Sequence, residues 1–149
     1  MKIGIVTDST SDIPTEHVEQ YDIQVMNNYI MIGDQTYTDN VDITRKEFYE
    51  MLPKMPKVPT TGTASGGLYQ KMYEDLFSKG ASHILSIHPS ALLSGILNAA
   101  STAAEAFGGK VHLIDAGQVS MGLGFQVLAA AEAAANGLDI HKVIECVES

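Results

Sequence analysis

The sequence predicts an α/β fold in which a mainly parallel sheet is covered by helices on both faces. Short runs of β-branched and other apolar residues at 3–6, 83–88 and 111–115 alternate with segments whose apolar residues recur at helical spacing. This alternation is typical of parallel strands joined by helical crossovers. A length of 149 residues suffices for one domain with a hydrophobic core. We therefore expect residues 1–149 to form a single domain.

The first half of the chain interrupts this alternation. The first strand is followed by polar residues and by Pro14, which is typical of the first turn of a helix. Residues 23–32 are rich in apolar and β-type residues, a Gly-Asp turn follows, and residues 35–37 suit a return strand. We expect a small hairpin excursion near residues 23–38.

The remaining helices have recognisable beginnings and ends. Thr44, with Glu47 three residues later, predicts a capping box and a helix that ends near Met51. Three prolines then predict that residues 52–67 form a loop. Further helices are predicted at 68–79, 94–107 and 120–136, and a last one begins after Asp139. Because that helix is still running at the end of the chain, we expect a domain cut from something longer.

Composition and charge exclude several classes of protein. A net charge of -9 disfavours nucleic acid and anionic membrane surfaces as partners. No segment approaches the roughly 18 apolar residues of a membrane span, and none resembles a signal peptide, so we expect a cytoplasmic protein without membrane insertion. The single cysteine, Cys146, cannot form an internal disulfide. We expect it to be a small buried residue on a helix.

Small polar residues and glycines follow the predicted strand ends, where ligands bind in parallel α/β sheets. Hydroxyls donate hydrogen bonds, glycines admit close backbone approach, and helix N-termini carry partial positive charge. We expect this rim to bind a carboxylate, with Thr61 and Ser94 able to hold it without a basic residue. The alternative is that Ser65, Ser94 and Ser120 only cap helices. The other rim candidates are Asp8, Ser9, Thr60, Gly62, Thr63, Gly95, Ser120 and Gly122.

Two catalytic alternatives remain open at this stage. Asp8, at the end of the first strand, could accept a phosphoryl group, but residue 10 is Thr rather than the second Asp of such enzymes. Its simpler role is to order the loop by accepting hydrogen bonds from amides. Ser94 could act as a nucleophile with His88, although we expect His88 to be structural. The five histidines lack the spacing of a metal site, and no cofactor is predicted. There are therefore two alternatives to a binding protein. One is a hydrolase or phosphotransferase, and the other is a regulatory module with an incidental pocket.

Apolar residues lie beside the polar rim. A carboxylate site next to an apolar crevice is what a fatty acid requires. Each buried methylene contributes roughly 0.8 kcal/mol, so a tail of about 16 carbons offers ~12 kcal/mol before the costs of binding. The apolar residues in question are Leu92, Leu93, Ile96, Leu97, Met121, Leu123 and Phe125, with Met26, Ile30 and Met31 of the hairpin region.

Five segments of the chain form an ordered set of motifs: 7–14 (TDSTSDIP), 37–43 (YTDNVDI), 59–65 (PTTGTAS), 90–100 (SALLSGILNAA) and 115–124 (DAGQVSMGLG). Together they resemble motifs of the DegV family, and they occur in the family's order. The departures from the family pattern are Asn40 for Gly, Gly62-Thr63-Ala64 for Ser-Gln-Pro, Ile96-Leu97 for Thr-Tyr, and Ala116 for Ser. Both predicted carboxylate hydroxyls are retained.

The resemblance implies an N-terminal DegV domain of a bacterial protein. DegV-like proteins have two α/β domains with a fatty acid between them, and several serve as the non-catalytic binding subunit of fatty acid kinase. By motif match, Thr61 and Ser94 contact the carboxylate, and the loop of Ser120 and Gly122 helps to build the pocket. We expect this chain to lack the second domain, and self-association through the face that it would cover is a further expectation.

Overall fold

The computed structural model describes residues 2–149, which form a parallel four-stranded sheet, six α-helices and a separate three-stranded antiparallel sheet. In chain order the elements are β1 (Ile3–Asp8), α1 (Thr15–Gln20), β2 (Gln24–Met26), β3 (Tyr29–Ile32), β4 (Gln35–Thr38), α2 (Arg45–Met51), β5 (Thr60–Gly62), α3 (Gly66–Ser78), β6 (His83–His88), α4 (Ile96–Ala104), β7 (Val111–Asp115), α5 (Met121–Ala135) and α6 (Ile140–Glu148).

The parallel sheet has the strand order β2-β1-β6-β7 and confirms the predicted fold class. Successive residues of a strand point to opposite faces, and β6 shows this directly. Leu85 and Ile87 pack into one core with α5 and α6, whereas Ile84 packs into the other with α3 and α4. Both faces of the sheet are therefore covered by helices, as the apolar strands require.

The segment 27–63 stands apart from these two cores. It contains α2 and the antiparallel sheet, whose strand order is β4-β3-β5. Neither apolar core includes a residue of this segment, and its one buried apolar side chain among the described residues is Ile43. We call residues 27–63 the small-sheet segment, and the rest of the described chain, 2–26 and 64–149, the main unit.

The hairpin prediction is confirmed at β3 and β4, but residues 24–26 instead join the main sheet beside β1. The prediction that residues 52–67 form only a loop is wrong. Thr60–Gly62 pairs with β3, with Ile30 opposite Thr61, and α3 already begins at Gly66. The prolines did prevent a longer element, but the pairing partner lies about 30 residues away along the chain, so no local pattern reveals it.

Several local predictions can be compared with the structure. Thr44 and Glu47 form the predicted capping box. Helix α4 begins at Ile96 after Gly95, two residues later than predicted from Ser94. The prediction that Cys146 is buried is wrong, because it lies on the exposed side of α6. In residues 2–149 no helix is long and apolar enough to cross a membrane.

Candidate functional site

A cavity of about 530 Å³ lies between the small-sheet segment and the strand-end loops of the main unit. This volume falls within the roughly 300–1,000 Å³ of typical ligand pockets. The cavity is open to solvent on one side, and apolar surface exceeds polar surface in its lining. The lining residues are Thr10, Asp12, Asn28, Tyr29, Ile30, Asp39, Arg45, Phe48, Tyr49, Pro59, Thr61, Gly62, Thr63, Pro89, Leu93, Ser94, Ile96 and Val119.

The structure brings Thr61 and Ser94 to the same cavity. Thr61 lies on β5 of the small-sheet segment, and Ser94 precedes α4 of the main unit. The Ser94 Oγ accepts a hydrogen bond from the Ile96 amide at 3.2 Å, so its own hydrogen remains available to donate. Within residues 2–149 the Thr61 hydroxyl has no hydrogen-bond partner. The two walls therefore offer two hydroxyl donors to a ligand.

The other predicted rim residues divide into three groups. Gly62 and Thr63 line the cavity next to Thr61. Thr60, Gly95, Ser120 and Gly122, which were predicted as pocket-lining or rim residues, lie outside its lining. Asp8 and Ser9 are buried beneath the cavity floor.

Ser120 and Gly122 have structural roles instead of cavity contacts. The Ser120 side chain does not cap α5; its hydroxyl donates to Asp12 Oδ2 at 2.6 Å. A Cβ on Gly122 would meet the Gln118 side chain at 2.9 Å, so the glycine accommodates that neighbour.

A chain of buried polar side chains runs from the core to the floor of the cavity. The two ring nitrogens of His88 lie 2.7 Å from Asp8 Oδ2 and 2.7 Å from Ser86 Oγ, and Ser86 Oγ lies 2.8 Å from the Tyr73 hydroxyl. All four side chains are fully buried. The assignment that satisfies every group has Nδ1–H donating to Asp8, Ser86 donating to Nε2, and Tyr73 donating to Ser86.

Asp8 connects this chain to the cavity. Its Oδ1 accepts hydrogen bonds from the Thr10 amide and hydroxyl and from the Asn28 side-chain amide, and both of these residues line the cavity. Burial raises the pKa of Asp8, but the hydrogen bonds that it accepts from His88 and Thr10 outweigh this effect and lower the pKa below its ordinary value. The carboxylate thus stays ionised and orders the loop, the simpler of its two predicted roles.

The tyrosines around His88 are held neutral. The ring of Tyr69 meets the His88 ring edge-on, with centroids 5.4 Å apart. Burial, followed by the charge of Asp8, raises the pKa of Tyr69, and burial raises the pKa of Tyr73 to about 12.

Ser86, His88 and Asp8 have the connectivity of a Ser-His-Asp triad, but not its access. Such a triad requires a serine oxygen that a substrate can reach. Ser86 and His88 have no exposed surface, and the Ser86 oxygen already contacts Tyr73. His88 bonds to Ser86 and Asp8 rather than to Ser94, which is the pairing that the sequence left open.

An ion-pair cluster on the cavity wall was not predicted from the sequence. The Arg45 Nη2 lies 2.9 Å from Asp12 Oδ1, 3.0 Å from Asp39 Oδ2 and 2.9 Å from the backbone oxygen of Ser9. Asp12 and Asp39 belong to the quoted motifs at 7–14 and 37–43, so acidic residues in those motifs were the available signal. Nothing local identified Arg45 as their shared partner.

No group of His, Cys, Asp and Glu side chains in the described part of the chain is placed to hold a metal ion. Two histidines do meet, at the opposite end of the sheet from the cavity: His83 Nδ1 lies 3.2 Å from His112 Nε2.

Solved structures of similar chains have the same fold. One is a DegV family protein from Thermus thermophilus that is described as binding fatty acid. It superposes with a TM-score of 0.92 at 32% identity, and the match covers 99% of this chain and 52% of that protein. A fatty-acid-binding DegV protein from Bacillus subtilis superposes with a TM-score of 0.90 at 31% identity, covering 99% and 53%.

Sequence comparison gives the same result. A DegV domain-containing protein of Deinococcus radiodurans is 34% identical over 148 residues, which are 99% of this chain and 52% of that protein. One from Staphylococcus aureus is 36% identical over 141 residues, or 95% and 50%. This chain therefore spans about half the length of the curated relatives it matches. The model of an uncharacterised protein family, DegV, matches residues 2–149, and the chain belongs to the DegV family.

Proposed function

We propose that this chain binds a long-chain fatty acid, with the carboxylate held by the hydroxyls of Thr61 and Ser94. The main support for this proposal is that these two residues line one cavity whose remaining surface is mainly apolar. The similar proteins of Thermus thermophilus and Bacillus subtilis, both described as binding fatty acids, support the ligand class.

The electrostatics of the cavity are compatible with a carboxylate. Asp12 and Asp39 would repel it, and Arg45, which pairs with both, balances one of these two negative charges. The N-terminus of α4, directly after Ser94, adds partial positive charge near that hydroxyl. Two hydroxyls and a helix terminus can orient a head group, while the apolar lining contributes most of the binding free energy.

The apolar tail has a surface to occupy. Ile30 and Phe48 line the cavity on the side of the small-sheet segment, and Leu93 and Ile96 line it on the side of the main unit. Leu93, which lines the cavity, is 68% exposed, and its neighbour Leu92 is 96% exposed. We propose that a further protein surface covers this open side, either the additional domain of the longer relatives or a second copy of this chain.

The carboxylate contacts can be tested by isothermal titration calorimetry with palmitic acid. Thr61→Val and Ser94→Ala each remove one hydrogen bond to a charged group, so each should raise the Kd about tenfold or more. Thr60→Val and Ser101→Ala are matched controls, since they lose a hydroxyl on the same strand and on α4 but lie outside the cavity lining. Their Kd should stay within about twofold of the original value.

A comparison of ligands checks the head group independently. Hexadecan-1-ol, which lacks the carboxylate, should bind more weakly than palmitic acid, and Thr61→Val should reduce that difference. Equal binding of both ligands, or equal losses in the Thr60→Val control, would contradict the assigned contacts. Absence of palmitic acid binding to the unaltered chain would contradict the proposed function itself.

The proposal includes a separate kinase that phosphorylates the bound acid, as the family resemblance implies. In this role the chain is the binding subunit and the kinase performs the chemistry in the cytoplasm. ATP-dependent formation of palmitoyl phosphate should require both the chain and a bacterial fatty acid kinase catalytic subunit. Product formation by the chain with ATP alone would contradict this division of labour.

A further inference from the structure

We propose that Arg45 is a positioning residue of the pocket: its guanidinium fastens the small-sheet segment, which carries Thr61, to the main unit, which carries Ser94. The proposed attachment is inferred from the contacts of Arg45 and does not depend on any ligand. Its consequence for ligand binding rests on the proposed function.

The need for such a fastening follows from the distribution of apolar contacts. Neither hydrophobic core includes a residue between 27 and 63. Among the described residues 2–149, the strands of the antiparallel sheet make their extensive contacts with one another. Burial of apolar surface, the main stabilising contribution in folded proteins, therefore does little to hold this segment in place. Directional polar contacts join it to the main unit instead, at Asn28 and Arg45.

Arg45 supplies contacts of that kind from the middle of the segment. One of its terminal nitrogens reaches the Ser9 backbone oxygen and Asp12 of the main unit and Asp39 of the small-sheet segment, all within 3.0 Å. Ser9 and Asp39 are nearly buried. The pair with Asp39 is screened less by solvent and salt than an exposed pair, whereas the pair with Asp12 is about one third exposed and is screened more. A planar guanidinium also fixes direction, which an ammonium does not.

The main-unit side of this contact is itself held in place. The Ser120 amide donates to the Thr10 backbone oxygen at 2.9 Å, and the Ser120 hydroxyl donates to Asp12. A Cβ on Gly124 would lie 2.6 Å from the Ser11 backbone oxygen, so only glycine lets α5 approach this loop so closely. Arg45 is thus attached to a loop anchored on α5, rather than to a free one.

The second polar attachment is at the beginning of the segment. The Asn28 amide donates to Ser9 Oγ at 3.0 Å, and the Asn28 side chain donates to Asp8 and Ser9. With Asn28 as one attachment and Arg45 as the other, the wall carrying Thr61 has a defined position relative to Ser94. A pocket whose two walls are fixed before binding loses less conformational entropy when the ligand orders it.

Amide hydrogen exchange of the unliganded chain tests the fastening directly. In Arg45→Gln, the Asn28 amide should exchange about tenfold faster or more, because its bond to Ser9 opens when the segment detaches. The amides of β6, in the centre of the main sheet, should keep their exchange rates. Lys46→Gln is the matched control, with the same charge change on an exposed neighbour of the same helix, and should leave both rates unchanged.

Binding of palmitic acid tests the positioning. Arg45→Gln should raise the Kd about tenfold, Arg45→Lys should recover part of the loss, and Lys46→Gln should have no effect. Asp12→Asn is the milder variant in case Arg45→Gln fails to fold, since asparagine tolerates the left-handed conformation of residue 12 (φ 52°). It should accelerate exchange at Asn28 by about threefold.

The outcomes separate the two proposals. Unchanged exchange at Asn28 in a folded Arg45→Gln variant would overturn the fastening, whatever the ligand data show. Faster exchange with an unchanged Kd would overturn the positioning role. Equally faster amide exchange at Asn28 and in β6 would show general destabilisation and would also overturn the positioning role. If the unaltered chain binds no palmitic acid, the proposed function fails while the exchange experiment still decides the fastening.

Discussion

The main unit and the small-sheet segment are stabilised in different ways. The main unit has two apolar cores on either side of its parallel sheet, with residues such as Leu85 and Val127 completely buried. The small-sheet segment has half-buried strands and is attached through Asn28 and Arg45. The cavity lies between these regions, with Thr61 on one and Ser94 on the other.

The difference between the two regions suggests that different interactions keep the chain folded and hold the cavity wall in position. Apolar burial is strong but non-directional, so it suits the region that must only stay folded. Hydrogen bonds and ion pairs contribute less net free energy but have defined geometry, so they suit a wall that must stand in one place. We expect disruption of the first region to unfold the chain and disruption of the second to open the cavity.

The largest expected difference in the free energy of unfolding is between two variants, each of which truncates one apolar side chain in one of the two regions. Leu85→Ala leaves a cavity in a fully buried core and should lower the free energy of unfolding by about 2–5 kcal/mol. Ile32→Ala, on the half-buried strand β3, should cost less than about 1 kcal/mol. Urea denaturation monitored by circular dichroism measures both. Similar losses in the two variants would mean that the regions share one cooperative core.

Asp8→Asn should have the next largest effect, since Asp8 contacts both regions through His88 and Asn28. Loss of its charge-assisted hydrogen bonds should cost about 2–3 kcal/mol of unfolding free energy at neutral pH. Asp34→Asn, on the exposed β3–β4 turn, is the control and should have no measurable effect.

The pH dependence of this effect has a defined sign. Because the folded-state pKa of Asp8 lies below its ordinary 3.8, the stabilisation is complete above pH 3.8 and is lost as the pH falls through the folded-state pKa. The difference between Asp8→Asn and the original chain should therefore shrink in acid. A difference that stays constant from neutral pH to below the acid transition would contradict the role assigned to the ionised carboxylate.

A smaller, local effect is expected at α2 in the small-sheet segment. Thr44→Ala removes the capping box and should destabilise this helix by about 1 kcal/mol. Amide exchange of residues 47–51 should accelerate while the global unfolding transition stays in place. A shift of the whole transition would show that the segment unfolds together with the main unit.

The smallest expected effect lies in the main unit, at the end of the sheet away from the cavity. Burial, together with the nearby His83 and His141, lowers the pKa of His112 below 6.5. The unfolded chain therefore binds more protons, so stability is complete above pH 6.5 and declines as the pH falls toward the folded-state pKa. His112→Gln should flatten this decline between about pH 6.5 and 5. Palmitic acid binding should not change.

Local sequence patterns predicted much of this molecule. Alternating apolar strands and amphipathic helices gave the parallel sheet, and Thr44 with Glu47 gave the capped helix. The prediction was wrong where a strand depends on a distant partner: the residues around Thr61 are flanked by prolines and form β5 only by pairing with β3. It was also wrong for Cys146, because a helix has an exposed side that a single residue type does not identify.

For the candidate site, the sequence by itself determined the chemistry available: hydroxyl-bearing loops at strand ends, an apolar flank and the motifs of one family. Only the tertiary structure decided which of these groups share a space. It placed Thr61 and Ser94 on one cavity, buried Asp8 beneath it, turned Ser120 toward Asp12, and brought Arg45 to three acceptors. Short-range rules act over about one turn of helix or one pair of residues. The partners of Arg45 and Asp8 lie up to 36 and 80 residues away along the chain, and only the folded backbone brings them together.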